Sequence, residues 1–120
     1  MPIERHERFP EMRDALRDLC SRFPDEYFLK IDEQRGYPEA FIKALTEAGW
    51  LSVMIPQEYG GSGLGLAEAS VVMEEINRCG GNAGACHGQM YNMSTLLRHG
   101  SEQQKQLYMP KIASGEWRLQ

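Results

Sequence analysis

The sequence lacks any long apolar run and has too little cysteine for a disulfide-stapled domain. No stretch reaches about 18 consecutive apolar residues, so we expect no membrane-spanning helix. The first eight residues are rich in charge, unlike the apolar segment of a secretory signal, and this predicts a cytoplasmic location. With 13 basic and 17 acidic side chains the net charge is −4, which provides no basic surface for nucleic acid.

Cysteine is limited to Cys20, Cys79 and Cys86, and this small odd number predicts free thiols in a reducing compartment. A metal site is the alternative, because two of these cysteines lie within a stretch of 21 residues that also contains His87 and His99. Zinc sites normally use a Cys-x-x-Cys pair or two histidines at helical spacing, and neither is present. We therefore predict no metal.

Hydrophobic periodicity predicts an all-α bundle of five or six helices in a single domain. The first helix begins near Pro10 and ends or kinks at Pro24, and a short second helix follows over about 25–35. A third helix begins at Pro38 and stops at Gly49, because glycine accommodates a left-handed turn. Residues 51–55 are predicted to be a short extended segment.

The second half of the chain predicts three more helices. One resumes near Ala69 and stops at a glycine pair, and the next has Asn82 as its N-cap and runs to about His99. Ser101 then begins a Ser-x-x-Gln capping box, and Pro110 is expected to bend or end that last helix. Gly115 is predicted to close its last turn.

A glycine-rich loop at residues 60–65 precedes a predicted helix, where a dinucleotide-binding turn would lie. The spacing does not fit Gly-x-Gly-x-x-Gly, because Leu66 holds the third position when the count starts at Gly61. No Gly-Lys-Ser/Thr sequence follows. We predict a structural loop with positive φ angles and close backbone packing.

Charge is absent from residue 79 to residue 97. A surface helix normally has charge on its outer face, so this helix is predicted to be buried or covered on one side by a ligand or another domain. One stripe, predicted to face the core, comprises Cys86, Met90, Met93 and Leu97. A second face is small, uncharged and polar-tipped, which suits either an apolar-ligand pocket or a helix–helix contact; it comprises Ala83, Gly84, His87, Gly88 and Tyr91.

No pattern in the sequence names a reaction. Cys86 and His87 are neighbours on a helix and point about 100° apart, so they cannot form a nucleophile–base pair. No pair of carboxylates at a spacing suited to acid–base work is visible. We therefore assign no catalytic residue from spacing.

Four blocks of sequence are nevertheless informative when taken together. They are residues 37–51 (YPEAFIKALTEAGWL), 55–64 (IPQEYGGSGL), 73–76 (MEEI) and 100–116 (GSEQQKQLYMPKIASGE). These blocks resemble, in the same order, the N-terminal helical domain of the acyl-CoA dehydrogenases. In the second block Gln57 replaces an acid of the family's Pro-Glu-Glu-Tyr-Gly-Gly-x-Gly loop.

The resemblance implies a division of the chain into a tail at residues 1–8 and the helical domain at residues 9–120. It also implies an FAD-dependent enzyme of fatty acid metabolism, usually a homotetramer, that desaturates an acyl-CoA thioester between its α and β carbons. A glutamate takes the α-proton, the β-hydride passes to FAD, and an electron-transfer flavoprotein usually reoxidises the flavin. The family's central β-domain and C-terminal helical domain hold the flavin and the glutamate.

The sequence departs from the family by stopping before those two domains. We therefore expect the front portion of a longer dehydrogenase, with no catalytic residue in this chain, no assignable flavin contact and no activity of the 120 residues alone. In the family the uncharged helix lines the acyl pocket, which assigns Ala83, Gly84, His87 and Tyr91 to that pocket. An imidazole at His87 would favour a shorter or polar-ended acyl group.

Two other functions stay open at this stage. A helical binding or assembly module could keep the fold without the chemistry. Flavin-dependent oxidases and monooxygenases share this domain and would use oxygen in place of an electron-transfer protein.

Overall fold

The computed structural model describes residues 8–119 and contains six α-helices, with no strand in that part of the chain. The predicted all-α class is confirmed. Residues 1–7 of the predicted tail lie outside the described residues. In chain order the helices are α1 (Pro10–Ser21), α2 (Asp25–Glu33), α3 (Glu39–Glu47), α4 (Leu66–Arg78), α5 (Gly84–His99) and α6 (Glu102–Ser114), with short 3-10 turns at Trp50–Ser52 and Gln57–Tyr59.

The helix ends follow local sequence chemistry. Gly49 and Gly115 adopt left-handed conformations, with φ of 83° and 80°, directly after α3 and α6. Ser101 caps α6: its hydroxyl accepts the Gln104 N–H at 3.1 Å, and the Gln104 side chain accepts the Ser101 N–H at 2.9 Å. These three predictions are confirmed.

The start of α5 differs from the prediction. Ala83, rather than Asn82, is the N-cap of α5, and the Asn82 side chain instead accepts the Gly84 N–H at 2.8 Å. A side chain one residue earlier thus satisfies a free amide of the first turn. Pro110 does not end α6, which continues to Ser114.

The predicted extended segment at residues 51–55 is wrong. Leu51 and Ser52 belong to a 3-10 turn, and the Ile55 N–H donates to the Ser52 carbonyl at 3.2 Å. The glycine loop then takes up two further carbonyls, because Leu64 N–H donates to Val53 at 2.7 Å and Gly63 N–H to Ile55 at 2.8 Å. With no neighbouring strand to pair with, a buried apolar run satisfies its backbone through turns.

The core lies where α3, α5 and α6 meet the 3-10 turn at Trp50–Ser52. Its fully buried side chains come from every helix except α2 and include Leu16, Phe41, Leu45, Val72, Ile76, Met93 and Met109. Beside it, Phe23, Tyr27, Phe28 and Phe41 pack edge to face with ring centroids 5.1–5.2 Å apart. This cluster joins α2 to the main core.

A buried ion-pair network joins α1 to α4. The Glu75 carboxylate accepts hydrogen bonds from Arg13 Nη1 at 2.9 Å, Arg17 Nε at 2.9 Å and Arg17 Nη2 at 3.0 Å. Burial by itself would raise the pKa of Glu75, but the hydrogen bonds from Arg17 and Arg13 outweigh it and the pKa lies below its ordinary value. The network fixes how these two helices lie against each other.

Candidate functional site

An open groove of about 610 Å³ lies between α4 and α5. Its α4 wall is formed by residues three, four and seven positions apart, which share one helix face, and the α5 wall continues the same spacing. The groove lining contains no carboxylate. It comprises Met54, Leu66, Ala69, Ser70, Met73, His87, Met90, Tyr91, Ser94, Thr95, Arg98 and His99.

His87 and Tyr91 are one turn apart on α5 and pack edge to face, with ring centroids 5.1 Å apart and planes at 74°. Both rings are exposed, Tyr91 to 48%. They also line a second groove of about 430 Å³ on the side toward Tyr37 and Pro38. The pair therefore forms a ridge between two grooves.

The four predicted pocket residues do not all lie together. His87 and Tyr91 line the large groove, whereas Gly84 lines only the smaller one. Ala83 lines neither groove and packs, half-buried, against the hydrophobic core. The acyl-pocket assignment of these residues stays a prediction.

The uncharged helix has one sealed face and one open face. The stripe predicted to face the core does so: Cys86, Met90 and Met93 are buried, and Leu97 packs half-buried against the core. On the other face Ser94 and Thr95 are exposed along with the two rings. The remaining helices of residues 8–119 therefore leave one flank of α5 uncovered.

Sequence reasoning missed the α4 wall of the groove. Leu66 is 73% exposed at the start of α4, and Met73 lies two turns further along the same face. Methionine is common at adaptable apolar binding surfaces, so Met54, Met73 and Met90 were an available signal. Methionine also fills irregular gaps in cores, and the sequence alone therefore could not distinguish the two roles.

The end of the groove beside the last turn of α5 is basic. Arg98 and His99 occupy the last turn of α5, where the unpaired carbonyls of the helix favour positive charge. Ser94 and Thr95 precede them with hydroxyl groups. The groove is therefore apolar at its α4 wall and becomes polar and basic toward the end of α5.

Gln89, on the buried side of α5, holds the C-terminal segment in place. Its amide nitrogen donates to the carbonyls of Ile112 and Trp117, each at 3.3 Å, and its oxygen accepts the Leu119 N–H at 2.9 Å. Such a buried amide is stable only because all these bonds are made. Gln89 was not singled out from the sequence; a lone polar residue among apolar core positions was the only signal.

The glycine loop offers no cradle for phosphate, because its amides are already used. The N–H groups of residues 60–64 all donate to backbone carbonyls of residues 52–57, and the Gly65 N–H donates to the Glu68 side chain. A Cβ at Gly61 would lie 2.0 Å from the Ile55 carbonyl oxygen. Gly60 and Gly63 have φ of 93° and 66°. The structural role predicted for this loop is confirmed.

Metal ligation and membrane insertion have no counterpart in the part of the chain that is described. No group of three or more His, Cys, Asp or Glu side chains among residues 8–119 could hold a metal ion. None of the helices there is long and apolar enough to cross a membrane.

A family model and the curated relatives of this chain point to the same family. A family model described as "Acyl-CoA dehydrogenase, N-terminal domain" matches residues 6–116. Isovaleryl-CoA dehydrogenase, mitochondrial, is 36% identical over 115 residues in Bos taurus and 38% identical over 116 residues in Solanum tuberosum. Short-chain specific acyl-CoA dehydrogenase, mitochondrial, of Sus scrofa is 29% identical over 114 residues.

These alignments cover most of this chain and a small part of each relative. They include 89% of the chain for the bovine and porcine proteins and 90% for the potato protein. The corresponding shares of the relatives are 27%, 27% and 28%, so the chain spans about a quarter of their length.

Proposed function

Because the chain belongs to the acyl-CoA dehydrogenase family through its N-terminal domain, we propose that it is the helical portion of an FAD-dependent enzyme. The enzyme would desaturate an acyl-CoA thioester between its α and β carbons. In this proposal the chain contributes one wall of the acyl pocket and contacts for assembly. No residue of the chain is given a catalytic role.

The groove between α4 and α5 is the observation that supports this proposal. An acyl tail needs an apolar wall, which Leu66, Ala69 and Met73 supply on α4. The facing wall on α5 is exposed yet uncharged up to Arg98, an unusual composition for a helix face in water. A bound acyl chain or a covering domain would remove both walls from solvent.

His87 is proposed to limit the acyl group. Its ring lies on the groove, held edge to face against Tyr91 at 5.1 Å, so it occupies volume that a long chain would need. A shorter acyl group, or one with a polar end that hydrogen-bonds to the imidazole, fits beside it better than a long plain chain.

FAD would supply the hydride acceptor, but the glycine loop does not fit a flavin phosphate site. It has no unused N–H for a pyrophosphate, since residues 60–65 are bonded within the chain. We propose that the main flavin contacts and the glutamate base lie in the family's other two domains.

Partners and compartment follow from the family as proposals. We propose a homotetramer whose flavin is reoxidised by an electron-transfer flavoprotein. We also propose a cytoplasmic location, although the bovine, potato and porcine relatives are named as mitochondrial. Fractionation of the source cells, with an antibody to this chain, distinguishes the two compartments.

A chimaera tests the activity. Residues 8–119 would replace the matching region of the Bos taurus relative, and the purified protein would be assayed for flavin absorption and acceptor reduction with acyl-CoA thioesters of graded length. Turnover supports the proposal. A folded, flavin-loaded chimaera that reduces acceptor with none of the thioesters, while the bovine parent does so, contradicts it.

The same chimaera tests the role of His87 separately. His87→Ala should shift the preference toward longer acyl chains, because the substitution empties part of the groove. Gln103→Ala, at an exposed position on α6, is the control and should leave the profile as it was. An unchanged profile in His87→Ala would contradict the size limit without affecting the proposed reaction.

A further inference from the structure

Two cysteines from different helices line one cleft between α1 and α4. This cleft lies on the face of α4 opposite the groove. Cys20 lies near the end of α1, and Cys79 is the C-cap residue of α4. The cleft has a volume of about 280 Å³ and is lined by Arg17, Cys20, Ser21, Phe23, Pro24, Glu75, Arg78 and Cys79.

The ion pair between α1 and α4 fixes these thiols near each other. Arg17 Nε lies 2.9 Å from the Glu75 carboxylate. Cys20 is three residues after Arg17 and Cys79 is four residues after Glu75, so each cysteine lies one turn further along the paired faces. The Cys79 thiol donates to the Ile76 carbonyl at 3.1 Å, and the Cys20 and Cys79 side chains line the same cleft.

The two thiols differ in access. Cys20 is 3% exposed, and burial raises its pKa to about 12. Cys79 is half-buried and opens to the cleft. Oxidation of a thiol depends on its access to the oxidant, so Cys79 is the one that a soluble oxidant reaches first.

We propose that Cys20 and Cys79 form a reversible disulfide when the protein is exposed to a peroxide. The Cys79 thiolate attacks one peroxide oxygen, the O–O bond breaks, and the leaving hydroxide takes a proton to become water, which leaves Cys79 as a sulfenic acid. Cys20 sulfur then attacks Cys79 sulfur, and its proton leaves with the hydroxyl group as a second water. Both thiols are oxidised and one peroxide is reduced; a dithiol reductant reverses the bond.

The test is peroxide treatment of the folded chain, followed by intact mass and peptide mapping without reductant. The expected product has lost two hydrogen atoms and contains a Cys20–Cys79 bridge, and it forms about tenfold or more faster than in urea-unfolded chain because folding raises the effective thiol concentration. Cys86→Ala is the matched control, since Cys86 is fully buried and should be dispensable. In the Cys86→Ala variant, Cys79 is the one cysteine with which Cys20 can form a bridge within the chain.

Single variants separate the two roles. In Cys20→Ser the sulfenic acid on Cys79 should persist and be trapped by dimedone, whereas Cys79→Ser should remain unoxidised; circular dichroism checks that each variant is folded. The proposal is overturned if folded chain gives no Cys20–Cys79 bridge. A bridge through Cys86, or one that forms no faster in folded than in unfolded chain, overturns it as well.

Discussion

The Glu75→Gln substitution tests whether the ion pair between α1 and α4 stabilises the fold. Glu75 is 1% exposed and accepts three hydrogen bonds, one from Arg13 and two from Arg17. The substitution keeps the shape of the side chain but removes its charge and replaces one acceptor oxygen with a donor. Two guanidinium groups then face an amide that can satisfy only part of their bonding.

The expected cost follows from the burial of each partner. Removing one member of a buried ion pair typically destabilises a protein by about 3–5 kcal/mol. Glutamine keeps one acceptor, and the Arg17 side chain is 35% exposed and can regain water. A hydrogen bond to a charged group contributes about 1.5–3 kcal/mol, and glutamine replaces part of what is lost. We therefore expect the free energy of unfolding to fall by about 2–3 kcal/mol.

Urea unfolding followed by circular dichroism measures this loss. At an m-value of about 1–3 kcal/mol/M, the midpoint should fall by about 0.7–3 M. Glu74→Gln is the matched control, because its carboxylate is 59% exposed and lies 3.3 Å from Arg13, a contact worth less than about 1 kcal/mol. A Glu75→Gln midpoint equal to that of the control would refute the stabilising role of the network.

Three further predictions concern pH, the glycine loop and the C-terminal segment. Because the pKa of Glu75 is lower in the folded chain than in the unfolded chain, its contribution is present at neutral pH and is lost as pH falls through the folded pKa; the difference in unfolding free energy between wild type and Glu75→Gln should therefore shrink in acid urea titrations. Gly61→Ala should cost about 1–3 kcal/mol because its Cβ meets the Ile55 backbone, whereas Gly65→Ala, where only the end of the Glu68 side chain is near, should cost less in the same titration. Gln89→Leu should leave the Leu119 N–H without its acceptor, so its amide hydrogen exchange should accelerate, whereas Asn92→Ala, which loses a bond only within α5, should not change that amide.

Local sequence rules predicted the fold well wherever the controlling interaction is local. Two kinds of helix-end signal act within one turn, so the sequence shows them directly: the terminating glycines Gly49 and Gly115, and the capping box at Ser101. The segment at residues 51–55 failed because its partner is not local. The amides of Gly63 and Leu64 take up its carbonyls, and a β-branched apolar run does not reveal whether that partner is a strand or a loop.

The candidate site was predictable from one side only. The absence of charge identified α5, and its periodicity located His87 and Tyr91 on one face. The α4 wall could not be found in this way, because Ala69 and Met73 suit a core as well as a groove. Which role they take depends on the crossing of α4 and α5, a property of the assembled bundle.

One side of α5 is open and the other is buried, and Gln89 on the buried side fixes the orientation of the helix. His87 and Tyr91 lie on the open side of α5. Few contacts with the bundle on that side prevent the helix from rotating about its axis. Gln89 lies on the buried side, two residues from each of them, and bonds to Ile112, Trp117 and Leu119. A rotation of α5 that moved the ridge would break these bonds and leave a buried amide unpaired. The position of the groove wall is therefore set by the polar contacts behind it.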